Sequence, residues 1–146
     1  MNGFKNICEY LLLDNHDFLI YISSYNEMEF AMMVENTKIF KALSDNSRLR
    51  ILKMLQIKSL CVCEIQDILG LAASTVSKHL SILRDTGFIT EEKVGKWVNY
   101  MINTHPKDLR ISSVLSSLDF WIADEKLIIE DKDKMKSISR FTICSS

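Results

Sequence analysis

Val62-Cys63-Glu64-Ile65-Gln66-Asp67-Ile68-Leu69-Gly70-Leu71-Ala72-Ala73-Ser74-Thr75-Val76-Ser77-Lys78-His79-Leu80-Ser81-Ile82-Leu83-Arg84-Asp85-Thr86-Gly87 is the stretch that decides the fold. Its first eight residues fit a short helix, stopped by Gly70 at the position where a glycine takes left-handed backbone. Ala72-Ala73-Ser74 leads into a second helix over about 74–86, stopped by Gly87. Helix, short glycine turn, helix is the helix-turn-helix pattern. At about 100° per residue, Val76, Leu80 and Leu83 cluster on one face of the second helix, which must be core. Ser74, Lys78 and Ser81 fall opposite, with Thr75, Ser77 and His79 on the flanks. Such a face approaches phosphates without burying large charge and offers hydroxyl and amine groups to base edges. The N-terminal residues of a recognition helix reach deepest into the groove. Ser74, Thr75, Ser77, Lys78 and His79 are therefore the candidate DNA contacts. The competing reading is an ordinary solvated face, with His79 bracing a turn.

Working outward, Phe88 opens a strand over 88–93, Val94-Gly95 makes a turn, and 96–102 alternates as a second strand. A hairpin straight after a helix-turn-helix is a wing. Lys93 and Lys96 flank its turn and are candidate phosphate or minor-groove contacts, whereas Trp97 is better suited to packing. Upstream, Ile39, Phe40 and Leu43 recur at helical spacing. Ser44-Asp45-Asn46-Ser47 is a polar break with good N-cap types, and Leu49, Ile51, Leu52 and Leu55 form the next helical stripe. Downstream, Pro106 suits the first turn of another helix, with Val114, Leu115, Leu118, Trp121 and Ile122 on its apolar stripe. The expected fold is mainly α with a small β-hairpin, a winged helix-turn-helix that dimerises. Residues 1–33 form an N-terminal extension, 34–123 the DNA-binding and dimerisation domain, and 124–146 a charged tail expected to be part helical and solvated. Met28, Met32 and Met33 close the extension, so translation starting at one of them competes with a genuine helix used in dimer packing.

Composition sets bounds. Of 146 residues, 47% are hydrophobic, enough for a core, and the single proline agrees with a helical chain. A net charge of −1 does not advertise a nucleic-acid binder, so DNA contact must come from local lysines. The apolar run 11–25 is broken by Asp14, His16 and Asp17 and cannot supply the roughly 20 apolar residues of a membrane span. No secretory signal opens the chain, and the cytoplasm is the expected compartment. Four cysteines, Cys8, Cys61, Cys63 and Cys144, are too few for a disulfide scaffold and suit thiols that bind metal.

At this point four segments resemble the ArsR/SmtB family of winged-helix metalloregulators, in family order. Phe40-Lys41-Ala42-Leu43-Ser44-Asp45-Asn46-Ser47-Arg48-Leu49-Arg50-Ile51-Leu52 is similar to its opening signature. Leu60-Cys61-Val62-Cys63-Glu64-Ile65 resembles the metal box of its arsenic-responsive branch. Ser74-Thr75-Val76-Ser77-Lys78-His79-Leu80 resembles its recognition helix, and Gly95-Lys96-Trp97-Val98-Asn99-Tyr100 its wing. The resemblance implies a homodimeric repressor on a palindromic double-stranded operator, released when arsenite or antimonite binds the Cys61 and Cys63 thiolates. The metalloid is then an inducer, not a permanent cofactor. Dimer contacts are implied before Phe40 and along 107–123, with Phe120 and Trp121 as candidates; an intramolecular core role is the alternative. Some arsenic repressors carry a third cysteine three residues after the second, where this chain has Gln66. The third ligand is left open between Cys144, Cys8, a partner's cysteine and an exogenous thiol. The family's other site, on the C-terminal dimer helix, uses histidine with carboxylates, and 107–126 has no histidine.

Read physically, two cysteines at i and i+2 of an ideal helix point about 200° apart. Joint binding is then expected to unwind the start of the 62–69 helix, which braces the recognition helix. Metal and DNA would compete by linkage. Cys61 and Cys63 could instead be small buried hydrophobes. A thiol-redox repressor is the alternative within regulation, although i, i+2 cysteines form at best a strained disulfide with each other. A winged-helix module for protein contacts is a second alternative. A thiol enzyme lacks a base and an oxyanion site beside its cysteine, so no enzyme activity is expected.

Overall fold

Asp45 turns the polar break into a helix start. Its backbone is extended, and Oδ1 accepts the Arg48 N–H at 3.0 Å. That satisfies one of the N–H groups a helix start leaves open. The structure is a computed structural model that describes residues 15–143. The chain divides into two units, Met1–Lys38 and Ile39–Ser146. The described part of the first belongs to α1 (Asn15–Leu43). Met28, Met32 and Met33 lie inside this helix and are exposed, with Tyr25 and Phe30. Part of the 1–33 extension is thus helical, and Cys8 lies outside the described residues.

The second unit begins in the last turn of α1 and continues through α2 (Asn46–Ile57), β1 (Leu60–Cys61), α3 (Val62–Leu69) and α4 (Ala73–Asp85). The hairpin β2 (Ile89–Val94) and β3 (Trp97–Ile102) follows, then α5 (Leu109–Ile122), α6 (Lys126–Ser137) and α7 (Arg140–Ile143). The three strands are antiparallel in the order β1-β3-β2. This is a winged helix-turn-helix. Gly70 ends α3 at φ +67°, with the N–H groups of Gly70 and Leu71 both donating to the Gln66 carbonyl. Val94 pairs with Trp97, which leaves a two-residue turn of Gly95 and Lys96. Gly95 has φ +62° and Lys96 does not share the left-handed region, the pattern of a type II′ hairpin turn.

One core joins these elements. Ile51, Leu52, Ile65, Ile68, Val76, Leu80, Leu83 and Phe88 are almost fully buried in it. The apolar face of α4 assigned from periodicity is the buried one. Each such aliphatic side chain contributes about 1.5–3 kcal/mol by leaving water.

Three expectations need correction. The last long helix starts at Leu109, capped by Asp108, and Pro106 stays outside it. Asp108 supplies the capping oxygen, accepting the Arg110 N–H at 2.9 Å. Trp121 and Phe120 are 62% and 90% exposed, so neither is core; Ile111, Leu115 and Leu118 form the buried stripe of α5. The charged tail is helical but not wholly solvated: α6 buries Ile128, Asp131 and Met135. Asp131 goes inside because Arg50 meets it with two hydrogen bonds of 2.7 Å, and a buried carboxylate requires such a partner.

Candidate nucleic-acid interface and thiol corner

The outward face of α4 carries Ser74, Thr75, Ser77 and Lys78, all exposed. Among the described residues Lys78 and Lys93 have no ion-pair partner, so their ammonium groups are available to phosphate. Lys96 is exposed at the wing turn, with Nζ 4.6 Å from the centre of the Trp97 ring. The ring holds the ammonium at the wing tip. Trp97 therefore positions a charge as well as packing.

His79 sits differently. Its side chain is only 13% exposed, with Nδ1 3.5 Å from Arg48 Nη1 and 3.8 Å from Asp45 Oδ1. Arg48 also donates from Nε to the Ala42 carbonyl at 2.6 Å and from Nη2 to the Lys41 carbonyl at 2.7 Å. One guanidinium thus ties the end of α1 to α2 and to the recognition helix. Burial pushes the Asp45 carboxyl up, but the Arg48 N–H, His79 and the Arg48 charge together hold it below the usual range. Asp45, Arg48, Ser74, Thr75, Lys78 and His79 line one surface depression. The sequence reading passed over Arg48 because nothing in its spacing marks it as a brace.

The second group of residues surrounds the cysteines. Cys61 ends β1, paired with Asn99 of β3, and is the extended N-cap residue of α3. Cys63 lies one residue inside the helix. Because Cys61 is not helical, the two sulfurs are 3.2 Å apart. The expected divergence of about 200° does not apply, and neither does the expectation that joint binding must unwind the helix start. Cys61 is 3% exposed, and burial pushes its thiol above the ordinary value. Cys61 retains its thiol while Cys63 is disulfide-bonded, so the bond does not join the two to each other.

Glu64 anchors this corner from inside. It is 4% exposed, and Oε2 accepts the Cys61 N–H at 2.9 Å. Arg140 of α7 lies 3.3 Å from that carboxylate and donates to the Asn99 side-chain oxygen at 2.8 Å. Glu64, Asn99 and Arg140 were not singled out from sequence. Their only signal was the acid at the third position of a short helix. No cluster of three or more His, Cys, Asp or Glu residues suited to metal occurs among the described residues. Cys144 lies outside them. No described helix is long and apolar enough to cross a membrane.

An exposed polar recognition helix, a glycine-turned wing and a buried apolar underside define a winged-helix DNA-binding regulator. Residues 45–91 match the family model for bacterial regulatory proteins of the arsR family. The chain is 35% identical over 79 residues to an arsenical resistance operon repressor of Escherichia coli K12, spanning 53% of this chain and 65% of that one. It is 31% identical to the arsenic resistance transcriptional regulator ArsR2 of Pseudomonas putida KT2440, spanning 69% of this chain and 91% of that one. Reduced HlyU from Vibrio cholerae N16961 superposes with a TM-score of 0.55 at 28% identity, covering 67% of this chain and 98% of that one. The chain belongs to the arsR family; it is a transcriptional regulator and not an enzyme.

Proposed function

We propose that the protein is a repressor that binds double-stranded operator DNA as a homodimer and releases it when arsenite or antimonite binds Cys61 and Cys63. The observation that carries this reading is the 3.2 Å approach of the two sulfurs at the start of α3. Soft thiolates select thiophilic ions, and two relatives are regulators of arsenic resistance by name. Ser74, Thr75, Ser77 and Lys78 would read the groove, Lys93 and Lys96 would meet phosphates, and His79 would act chiefly by fixing the helix against Arg48 and Asp45. The exposed Phe120 and Trp121 would be covered by the second copy, since large exposed apolar groups mark contact surfaces.

Coupling has two routes. Ile65 and Ile68 of α3 share a core with Val76 and Leu80 of α4, so a shift of α3 reaches the recognition helix. The Cys61–Asn99 pairing joins the thiol corner to the strand that carries the wing. Both cysteines must be thiols for this chemistry, which a reducing cytoplasm supplies. A thiol-redox repressor is a second reading, favoured by the disulfide at Cys63.

Fluorescence anisotropy on DNA from upstream of the protein's own gene tests both. The reduced protein should bind and be displaced by arsenite, and Cys61→Ser or Cys63→Ser should abolish displacement. Tight binding indifferent to arsenite but lost with peroxide would replace the metalloid reading by the redox one. No DNA binding would leave a winged-helix module for protein contacts.

A further inference from the structure

We infer that Glu91 is a positioning residue for DNA binding: held between Arg84 and Tyr100, its carboxylate fixes the wing against the recognition helix so that Lys93 meets the same duplex. The inference rests on the DNA-binding reading above and is independent of the thiol corner. Three observations carry it. Arg84, in the last turn of α4, donates from Nη1 to Glu91 Oε2 of β2 at 3.0 Å. Glu91 stands opposite Tyr100 of β3, and the Tyr100 hydroxyl donates to the same carboxylate. Burial, and after it the Glu91 charge, push that hydroxyl above its ordinary value. Among the described residues no other ion pair joins α4 to the hairpin.

The burial of β2 gives this tie its importance. Ile89 is buried, whereas Thr90 through Val94 are all exposed. Past Ile89 the strand places nothing in the core, so beyond that point its link to α4 is the polar one at Glu91. Side chains two apart on a strand share a face. Lys93 therefore lies on the face of β2 that Glu91 turns towards α4. The Arg84 guanidinium is engaged by Glu91 and by Asp85, 3.4 Å away, while Lys93 has no ion-pair partner among the described residues. Arg84 thus serves as the strut and Lys93 as the contact. The Arg84 and Glu91 side chains are 43% and 38% exposed, and a surface pair of this kind adds little to stability. Its effect is on where the wing points, which DNA affinity reads and unfolding does not.

Fluorescence anisotropy of the reduced full chain on duplex DNA from upstream of its own gene tests this by sign. Removing an acidic group beside DNA tightens binding if charge alone matters, because the phosphates repel it. The strut predicts the reverse. Glu91→Ala should weaken binding about 5-fold at about 0.15 M salt and lower the salt slope by about one, the counterion-release weight of one phosphate contact. Its urea midpoint should stay at the wild-type value. Tyr100→Phe leaves the charge unchanged and should weaken binding in the same direction, by less. In a Lys93→Ala background, Glu91→Ala should bring no further loss, because the contact it positions is already gone. Unchanged or tighter binding by Glu91→Ala, or an undiminished loss in the Lys93→Ala background, overturns the inference while leaving the DNA-binding regulator standing. A wild type that binds no DNA removes the DNA-binding reading and this inference with it.

Discussion

The recognition face and the thiol corner are built on opposite plans. The outward side of α4 is made of polar groups from one segment, with Ser74, Thr75, Ser77 and Lys78 all exposed. The thiol corner draws Cys61 from a strand end, Glu64 from α3, Asn99 from β3 and Arg140 from α7, and buries most of them. The reading face can therefore vary without cost to the fold. The sensing corner cannot move without disturbing the core and the wing strand it is bonded to. On the proposed reading, a ligand at the corner would act on DNA because the corner is structural.

That contrast is sharpened by removing the supports of the corner and then the groups of the face. Arg50→Ala should have the largest effect. It leaves Asp131 buried without its cation, a loss on the order of 3–5 kcal/mol, seen as a lower urea midpoint. Arg140→Ala should follow, at about 1.5–3 kcal/mol for hydrogen bonds to a charged group, and should loosen arsenite's effect on DNA as well. Lys78→Ala belongs to the other plan. Operator affinity should fall by about 1–2 kcal/mol, with the salt slope reduced by about one, and the urea midpoint should not move. A destabilised Lys78→Ala, or an Arg140→Ala of wild-type stability, would break the comparison.

The smallest effect is a pH dependence. Burial holds the Cys61 thiol above its ordinary 9.0. The folded protein then keeps a proton that the unfolded chain gives up. Its contribution to stability is complete below pH 9.0 and is lost as pH rises through the folded value. The difference in urea midpoint between wild type and Cys61→Ser should change in this alkaline window and stay constant below it.

The two regions also differ in how far the sequence revealed them. Helix periodicity and the three glycines with positive φ located α3, α4 and the wing almost to the residue, because those signals are local. The face of α4 followed from the same spacing. The corner did not, because β1 is only two residues long and shows no alternation. Without β1, ideal-helix geometry applied to Cys61 and Cys63 points their sulfurs apart. The Arg50–Asp131 and Arg140–Glu64 pairs join residues far apart in the chain, and charge patterning places Asp131 and Arg140 in a solvated tail.

Reciprocity gives the most direct test that the two regions are one device. If arsenite weakens operator binding, operator must weaken arsenite binding by the same factor. Arsenite affinity should be measured for the reduced protein alone and saturated with operator. The account predicts a weaker affinity in the complex, by the factor with which arsenite displaces DNA. Equal affinities in the two states would contradict it.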